Sequence, residues 1–242
     1  MQFTVTATIA ATLLAGTAQA VVVLTNGQSI NVGALMAQGS DRTVIIDDKI
    51  FHFESLTSNV FHADDFTLTA FVSANVNQWG LHNVGFDLIG PFGDGTPGDG
   101  IGHEMNLQYS VAVRPEWYAR DVRLCDTHLT FNGSAGSSGS YARVDETVWD
   151  LDTNTFLGNL AVYDHSGLFQ KYEDVKDWCQ IYDTHGYRAF EVNKDLKFFA
   201  RTAQDFATAS FVRQEFSQIM APTPGALALV LIGARSATRR RR

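Results

Sequence analysis

The sequence predicts an all-β protein: an antiparallel β-sandwich of about ten short strands over residues 21–219, flanked by an N-terminal signal helix (1–20) and a C-terminal sorting helix (within 220–242). Three observations carry this. Apolar and polar residues alternate with period two through the middle of the chain, as half-buried strands require. Gly, Asn and Asp clusters interrupt the alternation at strand spacing. No internal repeat is present, which weighs against a solenoid or propeller.

The cleanest strand is Met105, Leu107, Tyr109, Val111 and Val113 alternating with Asn106, Gln108, Ser110 and Ala112. A second has Phe66, Leu68, Ala70 and Val72 in phase. Ala142, Val144 and Val148 keep the pattern less strictly. Leu160 with Val162, Phe190 with Val192, and Leu196 with Phe198 predict shorter strands, and a last strand runs through Phe206 to Phe216. Between Leu124 and Leu129 the alternation slips phase, which predicts a β-bulge. Turns are expected at Asn26-Gly27, Trp79-Gly80, Gly90 to Gly102, Asn132 to Gly139, Asp152 to Asn154 and His185-Gly186. Leu168, Tyr172, Val175, Cys179 and Tyr182 fall near helical spacing, so a short helix or an ordered crossover between sheets is expected there.

Composition sets the class. Hydrophobic residues make up 45% and charged residues 18%, which excludes a wholly disordered chain. Residues 1–20 carry no charged side chain, and 222–242 carry five Arg and no acid. The middle therefore keeps 13 of the 18 basic residues and all 26 acidic ones, a net of −13. Such a body does not suit nucleic acid, whose phosphates are bound by Lys and Arg.

The two ends read as addresses. Phe3 to Thr17 are apolar or small, and Ala18-Gln19-Ala20 matches the A-x-A cleavage pattern of a secretory signal, although no Lys or Arg precedes it. At the other end, Pro222-Thr223-Pro224-Gly225 precedes an apolar run from Ala226 to Ala234, then Arg235 and the basic stop Arg239, Arg240, Arg241 and Arg242. Nine helical residues reach about 13 Å, less than the ~30 Å hydrocarbon core.

This tail resembles the PEP-CTERM sorting signal of bacterial exported proteins, with Thr223 where the name-giving residue is Glu. The resemblance implies the export machinery and an exosortase, a membrane protease that removes the tail, as transient partners, and membrane contact only through that tail. The body is also similar to a group of PEP-CTERM-tailed β-sandwich proteins. The matching pieces are Asp48 to Phe51 with Phe53, Ala63-Asp64-Asp65, Gly85-Phe86 to Phe92, Asp126 to Gly133, Val144 to Val148, Val192 to Asp195, and Phe211 to Ser217. That likeness implies a secreted or cell-surface protein of the envelope or extracellular matrix, and it brings no catalytic residues with it.

Several constellations have a chemical reading and a plainer one. Cys125 and Cys179, the only cysteines, could bridge once exported. The bridge would close a loop of about 55 residues and contribute ~4 kcal/mol on the chain-entropy model; two buried thiols are the alternative. Asp150-x-Asp152-x-Asn154 has the oxygen spacing of a calcium loop, but Thr155 and Ala161 stand where that loop needs Gly and Glu, so an Asx turn fits better. Asp94, Asp99, Asp64 and Asp65 read as solvated acids. The seven His form no H-E-x-x-H pair, no Ser sits in a G-x-S-x-G elbow, and Gly133 to Gly139 lacks the Lys of a P-loop. No motif points to a cofactor or metal. Trp79, Trp117, Trp149 and Trp178 are candidates for a sugar-stacking platform, with Trp117-Tyr118 beside Pro115 expected to be the most exposed; core packing is the alternative. The leading expectation is a structural or adhesive protein without catalytic activity. The alternatives are a glycan- or calcium-binding module, with extracellular polysaccharide as partner, and a hydrolase with converging carboxylates.

Overall fold

The strand with the clearest alternation, His103–Val113, buries Met105, Leu107, Tyr109, Val111 and Val113 on one face. It lies at the centre of a two-layer β-sandwich in the computed structural model, which describes residues 21–221. The expected export signal with Ala18 and Ala20, the motif Pro222 to Gly225, the stop Arg239 to Arg242 and both flanking helices lie outside the described residues. Among the described residues no helix is long and apolar enough to cross a membrane.

In chain order the strands are β1 (Val22–Leu24), β2 (Ser29–Asn31), β3 (Thr43–Ile46), β4 (Lys49–Ser58), β5 (Thr67–Val76), β6 (His82–Gly93), β7 (His103–Val113), β8 (Val122–Phe131), β9 (Ser134–Ala135), β10 (Tyr141–Asp150), β11 (Thr155–His165), β12 (Phe169–Lys171), β13 (Glu173–Asp177), β14 (Ala189–Phe199) and β15 (Ala207–Met220). Three short helices accompany them: α1 (Val32–Met36), α2 (Pro115–Tyr118) and α3 (Trp178–Tyr182). One sheet has the order β1-β3-β4-β7-β14-β10-β11-β12, and the other β13-β8-β15-β6-β5-β2, with β9 paired to β15.

Two expectations need correction. The described residues hold fifteen strands, not about ten. Some are two- to five-residue edge strands, too short to show a period. The pairing is also not wholly antiparallel, because β1 and β3 run parallel. The chain between them crosses to the other sheet through β2 and α1, which supplies the long connection that parallel neighbours need.

The core lies between the inner faces. Phe86 on β6 packs edge-on against Phe51 and Phe53 of β4, at ring centroids 5.5 and 5.6 Å, and against Tyr109 of β7 at 5.3 Å. Each fully buried aromatic contributes about 1.5–3 kcal/mol by leaving water. Backbones also approach closely here. A Cβ on Gly85 would stand 1.7 Å from the Gln214 carbonyl oxygen, so β6 and β15 can pair at this register only with glycine there.

The phase slip in β8 is a bulge. Ser217 of β15 pairs with Asp126 and Gln218 with Leu124, leaving Cys125 as the extra residue. The segment with helical spacing is the ordered crossover: β12 closes one sheet, β13 opens the edge of the other, and only Trp178–Tyr182 is helical. Asp177 caps α3 by accepting from Gln180 N at 2.8 Å. The buried Trp178 indole donates to Thr127 Oγ1 at 2.7 Å, fastening the crossover to β8.

Candidate functional site

Two charged clusters sit where a sandwich core is expected to be apolar. On β10, Glu146 occupies the inward position between Val144 and Val148; opposite it on β14, Lys194 occupies the inward position between Val192 and Leu196. Both are fully buried. Lys194 Nζ donates to Glu146 Oε2 and, across the sandwich, to Gln214 Oε1 of β15 at 2.7 Å. Gln214 Nε2 in turn donates to the His128 carbonyl at 3.2 Å. Burial pushes the Glu146 carboxyl up, against the attraction of Lys194, and pushes the Lys194 ammonium down, against the attraction of Glu146.

A second cluster repeats the arrangement four residues along β15. Lys49 Nζ donates to both Asp48 oxygens, each at 2.7 Å, and to Gln218 Oε1 at 2.9 Å. Gln218 Nε2 donates to the His82 carbonyl at 2.6 Å. Here too burial raises the carboxyl of Asp48 and lowers the ammonium of Lys49, each opposed by the other's charge. Both clusters are buried and link the two sheets through their glutamines.

The outer side of the seven-membered layer carries an open cleft of about 530 Å³. Trp79, Asn77, Asp126, Asp177, Ser217 and the Cys125–Cys179 bridge are among its walls. The bridge joins the bulged strand to α3, with Cα atoms 5.2 Å apart. Trp79 stands in the β5–β6 turn and is 39% exposed. Asn77 fixes that turn: its Oδ1 accepts from Trp79 N at 3.0 Å and Leu81 N at 3.1 Å, and its Nδ2 donates to the Gln218 carbonyl at 2.6 Å. Asp126 accepts from Ser217 N at 2.8 Å. His128 Nε2 stands 3.1 Å from Asp126 Oδ1, a close ion pair. Burial alone would raise Asp126, but His128 and Ser217 outweigh it and hold the carboxyl below its ordinary value.

The other sequence candidates are dispersed. Trp117 is half-buried against the core with the Arg120 guanidinium 5.2 Å over its ring, and Tyr118 is covered by Arg123 at 3.7 Å and Arg188 at 5.3 Å. The most exposed of the four tryptophans is thus Trp79, not Trp117. Trp149 packs on Phe156 at 5.1 Å and Trp178 is buried, so the four make no common platform. Asp150 accepts from Asp152 N at 3.1 Å and Thr153 Oγ1 at 2.6 Å, the local bonding of an Asx turn. Asp94 accepts from Ala200 N at 2.7 Å and Asp99 from Ile101 N at 2.7 Å, so both lock the loop before β7. Among the described residues, Cys125, Asp177 and Cys179 bring ligand-type atoms within 4.8 Å of one another, but the disulfide engages both sulfurs.

The buried Lys–carboxylate–Gln clusters were missed at the sequence level, yet they left a signal. A single charge stands in phase inside each of two apolar alternations, negative at Glu146 and positive at Lys194. Opposite charges on inward positions are expected to meet, since either alone would be prohibitively costly to bury.

No family model matches the chain, and no curated protein does. Solved structures similar to it include a carbohydrate-binding module described for specific mannan recognition, at 9% identity and TM-score 0.27, covering 78% of this chain and 96% of that one. A DUF4465 family protein from Bacteroides caccae matches at 9% identity and TM-score 0.23, covering 66% and 86%. An arabinose-bound α-L-arabinofuranosidase matches at 11% identity and TM-score 0.23, covering 68% of this chain and 23% of that one. TM-scores this low carry no inference about a site.

Proposed function

We propose that this is an exported, non-enzymatic envelope or matrix protein whose β-sandwich holds extracellular glycan in the Trp79 cleft. The observation that carries the reading is the pairing, in one open cleft, of an exposed indole with two carboxylates, Asp126 and Asp177. An indole face suits the C–H face of a sugar ring, and carboxylates and amides suit its hydroxyls. Asn77 fixes the backbone of the turn that carries the indole, which lowers the ordering cost of that turn on binding. Asp126 is held below its ordinary range, so it stays ionised and ready to accept hydrogen bonds from sugar hydroxyls. The acidic body, the expected signal through Ala20 and the tail from Pro222 support a place outside the cell after exosortase processing.

Two measurements test the two halves. Mass spectrometry of the native secreted protein is expected to find an N-terminus after Ala20 and no residues 226–242; an intact tail on the extracellular form contradicts the sorting half. A panel of soluble polysaccharides is expected to contain binders that elute the protein from an affinity matrix. Absence of retention on every glycan contradicts the binding half and returns the protein to a purely structural role.

A further inference from the structure

Lys194 and Gln214 come from different sheets, yet their side chains meet end to end in the buried core. Lys has donors and no acceptor, so the atom of Gln214 that faces it must be the amide oxygen. The Gln214 carbonyl carbon is one bond from the atom Lys194 touches. Gln214 is held in that pose by its bond to the His128 carbonyl. Beside both lies Glu146, with Oε2 on the Lys194 ammonium and Oε1 fully buried with no hydrogen-bond partner among the described residues. An amine, a carboxamide and a proton carrier are thus collected in one fully buried contact.

We propose that Lys194 and Gln214 join spontaneously through an amide bond from Nζ to Cδ, tying the two sheets together, with Glu146 carrying the protons. The step balances without an oxidant or co-reactant. Glu146 takes one proton from the Lys194 ammonium, and the free amine adds to Cδ. The tetrahedral adduct passes its second Nζ proton to the carboxylate as the carboxyl delivers its own to Nε2. The C–Nε2 bond then breaks and ammonia leaves. The product is a secondary amide, one ammonia and a protonated Glu146. Burial favours the reactive neutral forms of both partners, since it lowers the Lys194 ammonium and raises the Glu146 carboxyl. The reaction also removes two buried charges, whose desolvation opposes the ionic state. Holding the groups in contact makes the addition intramolecular, and the closed core keeps water from competing.

The second cluster provides a contrast. Asp48 has both oxygens turned onto the Lys49 ammonium at 2.7 Å, whereas Glu146 keeps Oε1 off its lysine and turned free for the departing nitrogen. The bond is assigned to Lys194 and Gln214 alone.

Peptide mapping of the purified full-length protein tests this. The expected result is a branched peptide joining Lys194 to Gln214, lighter than its two parts by one ammonia, with no tryptic cleavage after Lys194. In the E146Q variant that peptide is expected to disappear completely. Recovery of Lys194 and Gln214 in linear, unmodified wild-type peptides overturns the proposal, and so does loss of one water joining Lys194 to Glu146. A branch at Lys49 and Gln218 instead, or an undiminished link in E146Q, overturns it equally. The wild-type map decides even if the variant fails to fold.

Discussion

Lys194 Nζ lies 2.7 Å from Gln214 Oε1, so one hydrogen bond spans the two sheets at the middle of the sandwich. With Glu146 it forms one of two buried charged units in a core filled mainly by aromatic and aliphatic side chains.

This unit predicts a non-additive stability pattern. K194M leaves the Glu146 carboxylate buried and alone, with an expected loss of about 3–5 kcal/mol in addition to the loss of the Lys194–Gln214 bond. K194M combined with E146L removes both charges and is expected to be more stable than either single variant. Urea unfolding midpoints check this. A double variant that loses the sum of the single losses contradicts it.

The Cys125–Cys179 bridge joins residues 54 apart in sequence, so a C125S/C179S variant is expected to lose about 4 kcal/mol on the chain-entropy model. Denaturant titration of the variant and of the wild type with and without reductant measures it. Unchanged stability on reduction contradicts the prediction.

The Asp126–His128 contact predicts a pH window. The folded pKa of His128 is raised above 6.5: burial opposes this, but Asp126 outweighs it. Its contribution is complete below about 6.5 and fades as pH rises through the higher folded value. The folded pKa of Asp126 is lowered below 3.8, so its contribution is present above that value and fades as pH falls through the lower folded one. H128Q is therefore expected to cost about 0.5–1 kcal/mol near pH 5 and progressively less on the alkaline side. Thermal melts across that range give the profile, and a cost that grows with pH contradicts it.

Asp205 ties two loops together on the surface. It accepts from Ser137 N and Oγ at 3.0 and 2.6 Å, from Ser140 Oγ at 3.1 Å, and from Thr202 N and Oγ1 at 3.2 and 3.0 Å. These bonds, led by the Ser137 hydroxyl, pull its carboxyl down to about 2. Its contribution is present above 3.8 and is lost as pH falls toward 2. D205A is expected to lower Tm at neutral pH and to converge on wild type at the acid end. A difference that persists undiminished into acid contradicts this.

Much of the sandwich was legible because period-two burial leaves a direct mark. The inward positions of β7 and the Cys125 bulge stood in the alternation itself. Lys194 split β14 into two apparent pieces, and Glu146 weakened β10 in the same way, yet the strand count still fell short. Edge strands such as Phe169–Lys171 bury too little to show a period. The helical spacing from Leu168 to Tyr182 belonged to two short strands and one turn of helix, whose spacing only mimics a longer one. The Trp79 cleft was half legible: the indole was named, but its acids come from β8 and β13, whose neighbourhood depends on sheet order. Nothing local reveals that.

The most direct test of the glycan-binding account is calorimetry of the secreted protein, its W79A variant and its W117A variant against the strongest binder from the polysaccharide panel. W79A is expected to lose binding by tenfold or more, about 1.4 kcal/mol, with its melting temperature unchanged, while W117A binds like wild type. Undiminished binding by W79A, or its loss in W117A with the fold intact, contradicts the account.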